Sequence, residues 1–130
     1  MLDTIELDLV RELFTRDCAV VYGDAEGMRS RGAADLQQSL RRLFRFARTS
    51  HHLSNVDIEI VGGTARATSY VLAWHQFPNG RSNTLYARYE DRLVRTDAGW
   101  RIAERRQYTH GSDEPWDRPL DPAPRATGEP

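Results

Sequence analysis

At 130 residues the chain has the length of a single domain, and a domain of this size buries enough surface to fold without a metal or a disulfide. Its hydrophobic fraction of 39% and charged fraction of 28% are typical of a globular protein. A formal net charge of -1 gives no overall attraction to nucleic acid or to an anionic membrane. No apolar run reaches the roughly 20 residues that span a bilayer. We therefore expect no nucleic acid and no membrane among the partners.

The single cysteine, Cys18, has no partner for an internal disulfide, which favours a reducing, cytoplasmic compartment. The first ten residues carry Asp3, Glu6 and Asp8 and no basic residue, which is unlike a secretory signal. No cluster of histidine, cysteine and acidic residues has metal-ligand spacing, and no glycine-rich phosphate loop or serine-nucleophile motif occurs. We therefore expect neither a metal nor a cofactor.

Apolar spacing predicts two helices in the first part of the chain, over residues 2–14 and 33–48, with a short strand at 18–22 between them. The second helix has the clearer pattern. Its apolar stripe is expected to pack on the core while its arginines lie on the other side. The residues of that stripe are Leu36, Leu40, Leu43, Phe44 and Ala47.

A period of two replaces the helical period at residue 56, which predicts strands near 56–60, 64–77, 84–96 and 100–108. The turns between them fall at Gly62-Gly63, at Pro78-Asn79-Gly80 and at Asp97-Ala98-Gly99. Helices followed by a meander of antiparallel strands indicate an α+β fold. The segment 111–130 holds five of the six prolines and is predicted to be a tail that is disordered or bound to the surface.

The strand predicted at 64–77 has one side of mostly small residues and one bulky side. Such a strand suits the wall of a pocket, although uneven core packing would give the same pattern. The first side carries Ala65, Ala67, Ser69, Val71, Ala73 and His75, and the second carries Tyr70, Leu72 and Trp74.

Three stretches resemble the SnoaL-like domains of the nuclear-transport-factor-2-like superfamily. Residues 13–23 (LFTRDCAVVYG) resemble the entry into the first strand of that family, residues 49–65 (TSHHLSNVDIEIVGGTA) its second-strand signature, and residues 89–106 (YEDRLVRTDAGWRIAERR) its last hairpin. The resemblance implies one domain over 1–110, in which a curved, mostly antiparallel sheet forms a cone with helices on its concave side. The family usually has a full helix before its aspartate, so the first helix is expected to be shortened, or completed by an upstream segment or a partner.

The family includes scytalone dehydratases, hexachlorocyclohexane dehydrochlorinases, ketosteroid isomerases, polyketide cyclases and small subunits of ring-hydroxylating dioxygenases. The resemblance to the dehydrochlorinase-like branch implies a catalytic set of His51, Asp3 and Arg105. In such a set a neutral imidazole removes a proton, a carboxylate orients and stabilises the imidazolium, and a guanidinium receives developing negative charge.

Strict alternation would place His51 on the same side as Asp57 and Glu59, so an inward His51 requires a bulge or a twist in its strand. The neighbouring His52 could equally be the pocket histidine. Each member of the implied catalytic set also has a purely structural interpretation: a helix N-cap for Asp3, a surface salt bridge for Arg105 and a loop position for His51.

The remaining candidates for contact with a small hydrophobic ligand are His75, Tyr70, Trp74 and Tyr89, of which the aromatic residues could instead be core or subunit contacts. Three functions stay open at this point: a cofactor-independent dehydratase, dehydrohalogenase, isomerase or cyclase; a ligand-binding module without chemistry; and a structural subunit. A homodimer is expected, with Tyr70, Leu72 and Trp74 as its contact, because a cone with a shortened first helix would expose apolar surface.

Overall fold

The computed structural model describes residues 1–125, which form six strands and several short helices. After a 3-10 turn at Leu7–Leu9, the elements are α1 (Val10–Leu13), β1 (Phe14–Val21), β2 (Arg29–Arg31), α2 (Ala33–Leu40), a second 3-10 turn (Arg41–Arg45), β3 (Arg48–Val61), β4 (Thr64–Gln76), β5 (Ser82–Thr96) and β6 (Gly99–Ser112). No helix within residues 1–125 is long and apolar enough to cross a lipid bilayer.

The strands form one curved sheet in the order β2-β1-β6-β5-β4-β3. Strands β3 to β6 are consecutive antiparallel neighbours, joined at the three turns that the sequence predicts. Strand β1 pairs in parallel with β6, which closes the meander onto the first part of the chain. The prediction of an α+β fold with a mostly antiparallel sheet is confirmed.

Helix α2 packs on the concave face of this sheet through Leu36, Leu40 and the following Leu43, all of which are buried. The sequence-based helix over 33–48 is too long, because the chain changes to a 3-10 turn at Arg41–Arg45. That tighter winding changes the phase of the side chains. Phe44 is therefore 57% exposed, contrary to prediction, while Phe46 takes the core position.

The first predicted helix, over residues 2–14, is also shorter than expected. Ile5 has a positive φ of 53°, and the amides of Ile5 and Glu6 donate to the carbonyls of Leu2 and Met1 in successive turns. Helical structure begins only at Leu7 and ends before Phe14, which is already extended. The tertiary hydrogen bonds of Asp3, described below, hold these first residues in turns rather than in a helix.

The chain after β6 packs against the domain as far as the structure describes it. The Asp121 carboxylate accepts a hydrogen bond from Arg106, and the Asp117 carboxylate pairs with Arg45 across the cavity mouth. Trp116 packs on Phe46, with ring centroids 6.4 Å apart. Residues 113–125 of the predicted tail make these contacts with the domain, and residues 126–130 lie outside the described part of the chain.

Candidate active site

Asp3 and His51 form a hydrogen-bonded pair at one end of a cavity between the sheet and α2. The imidazole Nδ1 lies 2.6 Å from Asp3 Oδ1, and the His51 backbone amide donates to Asp3 Oδ2 at 2.9 Å. The Thr49 hydroxyl also donates to Oδ1, at 2.9 Å. The His51 side chain is 12% exposed and that of Asp3 38% exposed. Three donors therefore fix the orientation of one carboxylate.

The hydrogen-bond pattern keeps Asp3 ionised and selects the ring nitrogen of His51 that faces it. Partial burial raises the pKa of Asp3, but the hydrogen bonds from His51 and Thr49 outweigh it and hold that pKa below its ordinary value. An ionised carboxylate can only accept, so His51 donates from Nδ1, and in the neutral form of the ring Nε2 is then the nitrogen with the lone pair. A neutral imidazole with this tautomer is equipped to accept a proton through Nε2.

A bulge in β3 turns His51 toward the concave face. The register of β3 on β4 shifts by one residue between Ser54 and Asp57, and Asn55 has a positive φ of 50°. His51 is thereby paired with the buried Ala73, whereas without the bulge it would share a side with Asp57. The requirement for a bulge, predicted from strict alternation, is confirmed.

The cavity has a volume of about 60 Å³ and mixed polar and apolar walls. Leu40, Leu43 and Leu85 contribute aliphatic surface, and Trp116 and Leu120 from the C-terminal segment contribute to its cover. The polar or charged side chains that line it are His51, His75, Gln107, Arg42, Arg45 and Arg118, together with Tyr22 and Tyr89. From β4, Ala73 and His75 line this volume, and both belong to the side of mostly small residues.

His75 lies beside the pair and is a second histidine of the cavity. Its Nδ1 donates to the Ala73 carbonyl at 3.0 Å, and its ring centroid lies 5.7 Å from that of His51. Phe46 and Trp116 pack against it, with centroids at 4.6 Å and 5.0 Å. Burial, followed by the electrostatic influence of the neighbouring His51, lowers the pKa of His75 to about 4. His75 is therefore neutral at physiological pH and presents Nε2 as a hydrogen-bond acceptor.

Tyr89 lines the cavity from β5, as expected for a ligand contact. It is buried and packs edge-on against Tyr22, with centroids 6.2 Å apart. Burial, followed by the proximity of Tyr22, raises the pKa of the Tyr89 hydroxyl, which keeps it neutral. A neutral phenol can donate one hydrogen bond to a ligand.

Arg105 does not reach the cavity, contrary to the expectation that it would approach the same volume as His51. Its Nε and Nη2 donate to Asp91 Oδ1 and Oδ2 at 2.8 Å and 2.7 Å. The guanidinium stacks on Tyr89, 4.1 Å from the ring centroid, and Tyr89 rather than Arg105 lines the cavity. This bidentate pair satisfies the guanidinium internally, so the structure does not bring Arg105 together with His51 at the cavity.

Three further candidates lie on the convex face, away from the cavity. His52 is exposed and shares a 2.9 Å hydrogen bond with the Ser50 hydroxyl. Tyr70 is 39% exposed and stacks on His110, with centroids 5.3 Å apart. Trp74 shares that face because it alternates with the buried Ala73 and His75. Their expected contact with a ligand in the cavity is corrected by this alternation.

Two kinds of lining residue do not follow from the sequence pattern. Helical spacing places Arg42 on the solvent side of a continuous helix, but the 3-10 turn carries it into the cavity wall. Trp116 belongs to the predicted tail, although an aromatic residue among prolines and charges is a detectable signal for docking on the domain. Within residues 1–125, no group of three or more histidine, cysteine, aspartate or glutamate residues could hold a metal ion.

Comparisons with known proteins agree with the fold. A protein from Novosphingobium aromaticivorans, provisionally named scytalone dehydratase, is 30% identical, with a TM-score of 0.86 over 96% of this chain and 85% of its own. A provisionally named aromatic ring hydroxylase from the same organism is 25% identical, with a TM-score of 0.72 over 82% and 76% of the two chains.

Hexachlorocyclohexane dehydrochlorinase LinA-type3 from Novosphingobium barchaimii shares the fold at 16% identity, with a TM-score of 0.72 over 94% of this chain and 85% of its own. No curated protein sequence matches the chain significantly. The SnoaL-like domain family matches residues 1–106, which is most of the chain. The chain belongs to the SnoaL-like domain family.

Proposed function

We propose that the protein is a cofactor-independent lyase or isomerase in which His51 acts as general base on a small cyclic molecule. The observation that carries this proposal is the 2.6 Å contact between His51 Nδ1 and Asp3 Oδ1, on a histidine that lines a cavity. That contact leaves Nε2 as the proton acceptor, and general-base catalysis of this kind contributes roughly 10²- to 10⁴-fold in rate.

In the elimination that we propose, His51 Nε2 takes a proton from a carbon adjacent to the one that carries the leaving group. The electron pair of the broken C–H bond forms a carbon–carbon double bond, and the leaving group departs with its own bonding pair. Asp3 stabilises the imidazolium through the Nδ1 contact. Neutral His75 and Tyr89 orient the substrate by hydrogen bonds, as acceptor and donor respectively.

Turnover of two compounds tests the proposal: scytalone, followed by its loss of water, and hexachlorocyclohexane, followed by chloride release. Both are named by structural neighbours that share the fold. Activity with either compound should fall by at least roughly 10²-fold in His51→Ala. His52→Ala is the matched control, since His52 is the next residue and faces the opposite side of the sheet. Equal loss in both variants, or none in His51→Ala, would contradict the assignment of the base.

We also propose a homodimer that forms through the convex face of the sheet. Tyr70, Leu72 and Tyr86 are 39%, 42% and 40% exposed on this face, and Trp74 adjoins them. Light scattering at micromolar concentration should give twice the monomer mass for the wild type and the monomer mass for Leu72→Glu. A monomeric wild type would contradict the dimer and would favour a protein that acts as a single subunit.

We also place the protein in the cytoplasm, because its buried, free Cys18 suits a reducing compartment.

A further inference from the structure

Arg42 extends from the 3-10 turn after α2 into the cavity wall, where residues 1–125 use only part of its hydrogen-bonding capacity. Its Nη1 donates to the carbonyl and the hydroxyl of Ser39, at 2.9 Å and 3.0 Å. The guanidinium lies over the Tyr22 ring, 5.0 Å from the centroid. Because a guanidinium has five N–H donors in a planar fork, this arrangement leaves donors available to a ligand.

No carboxylate oxygen of residues 1–125 lies within 4.0 Å of the Arg42 guanidinium or of Arg118, which also lines the cavity. Arg118 itself contacts Met28 Sδ at 4.0 Å. Two other inward arginines are paired: Arg45, which lines the same cavity, with Asp117, and Arg105 with Asp91. The cavity thus contains two guanidinium groups without an internal counter-charge in the described chain.

Burial and like charge make this an unfavourable arrangement in the absence of a ligand. Burial, and after it the neighbouring Arg118 and Arg45, lower the pKa of Arg42, while Tyr22 and Tyr89 act in the opposite direction. The Tyr22 hydroxyl is also buried and has no hydrogen-bond partner within the described residues. A buried charge and a buried hydroxyl both cost free energy until a partner arrives, so an anionic ligand would relieve both.

We propose that Arg42 and Arg118 form an anion-binding subsite that holds the carboxylate or phenolate oxygen of a small cyclic substrate. The aliphatic side chains of Leu40, Leu43 and Leu85 offer apolar contacts to the ring of such a compound, and the cavity must widen beyond its 60 Å³ to admit that ring. His51 lines the same cavity and would receive the proton from the part of the ring away from the anion. The substrate-orienting role rests on the proposed function, whereas the binding of an anion does not.

Isothermal titration with benzoate and with its neutral isostere benzamide tests the subsite without any turnover. The wild type should bind benzoate at least roughly tenfold more tightly than benzamide, since only benzoate offers the two guanidinium groups a charged acceptor. Arg42→Met should abolish that preference, and Arg118→Met should reduce it. Arg41→Met is the matched control, because Arg41 belongs to the same turn, is exposed and lies over Phe44 outside the cavity. Arg41→Met and the wild type should show the same preference for benzoate over benzamide.

Arg42→Lys separates loss of charge from loss of structure, and should keep part of the preference for benzoate. Thermal unfolding adds a second measurement: benzoate should raise the Tm of the wild type but not that of Arg42→Met. The phenolate of 4-nitrophenol, in mildly alkaline buffer, is the second probe. Tighter binding of this phenolate than of benzoate would indicate a phenolate substrate, and weaker binding would indicate a carboxylate.

The His51→Ala variant should retain benzoate binding, so a failure of the subsite is distinguishable from a failure of the proposed base. Equal affinity of the wild type for benzoate and benzamide, no benzoate binding at millimolar concentration, or an undiminished preference in Arg42→Met would each overturn the subsite.

Discussion

The His51–Asp3 and Arg105–Asp91 pairs lie on the same face of the sheet but in different surroundings. His51 Nδ1 uses a single 2.6 Å contact, and the other ring nitrogen takes no part in the pair. Arg105 donates twice to Asp91, at 2.8 Å and 2.7 Å, and is covered by the Tyr89 ring. The side chains of Arg105 and Asp91 are 12% and 7% exposed, so water reaches neither well.

This difference shows why a basic residue near a cavity is not necessarily part of its chemistry. Burial lowers the pKa of Arg105, but the hydrogen bonds that it donates to Asp91 outweigh this effect and the pKa is raised overall, so Arg105 keeps its proton and its partner. His51 shares its carboxylate with Thr49 and lines an open volume. The Arg105–Asp91 pair is therefore closed within the sheet, whereas the His51–Asp3 pair borders the cavity, where we propose that it exchanges a proton with a ligand.

The largest effect should come from breaking the Arg105–Asp91 pair. Asp91→Ala leaves the Arg105 guanidinium buried without a counter-charge, and we expect the free energy of unfolding to fall by about 3–5 kcal/mol. Urea unfolding followed by circular dichroism measures it. Glu59→Ala, at an exposed carboxylate of β3, should stay within about 0.5 kcal/mol of the wild type. A loss in Asp91→Ala no larger than in this control would show that the pair contributes little.

The next effect concerns the histidine beside the His51–Asp3 pair. Because the pKa of His75 is about 4 in the folded chain and near 6.5 when unfolded, the unfolded state binds more protons between these values. The free energy of unfolding should therefore decrease as the pH falls from 6.5 to 4. The contribution of His75 to this decrease is about 3 kcal/mol.

His75→Asn keeps an amide donor near the position of Nδ1 but does not titrate, so its stability should depend less on pH over the same interval. Urea unfolding of both proteins in neutral and in acidic buffer gives the two slopes. Carboxylates that titrate in this range act equally in both proteins, which makes the difference between slopes the quantity of interest. Parallel slopes would mean that His75 is solvated in the folded protein.

Most of the fold could be predicted because the relevant signals are local. Gly62-Gly63 and Pro78-Asn79-Gly80 mark turns whose flanking strands must then pair as neighbours. The change from α to 3-10 winding at Arg41 is not local in origin, since it follows from the packing of Leu43 and Phe46 against the sheet. Helical spacing therefore could not predict that Phe46, rather than Phe44, is buried in the core.

The Asp3–His51 pair of the candidate site could be predicted from the sequence, whereas the residues that reach the cavity through tertiary packing could not. The resemblance to the SnoaL-like family pointed to Asp3 and His51, and the alternation of side chains along β3 predicted the bulge that orients His51. Arg42 and Trp116 depend on how the 3-10 turn and the C-terminal segment close over the sheet. Contacts between segments so far apart in the chain leave no periodic pattern in the sequence. The placement of Arg42 and Trp116 in the cavity wall could therefore be seen only in the structure.

The smallest effect on stability should come from the His51–Asp3 pair itself. Asp3→Asn keeps the shape of the side chain and removes its charge, and since Asp3 is more than one-third exposed we expect a loss of about 1 kcal/mol or less at neutral pH. Because the pKa of Asp3 is lowered on folding, this contribution is present above the unfolded pKa and is lost as the pH falls through the folded value. Glu12→Gln, at an exposed carboxylate of α1, is the control.

The tautomer of His51 should change more in Asp3→Asn than the stability does, because an amide can accept from or donate to Nδ1 and no longer selects one tautomer. Nitrogen NMR of His51 should show hydrogen on Nδ1 in the wild type and a mixture of tautomers in Asp3→Asn. A loss of stability as large as that in Asp91→Ala, with an unchanged His51 tautomer, would mean that Asp3 supports the fold in the way Asp91 does.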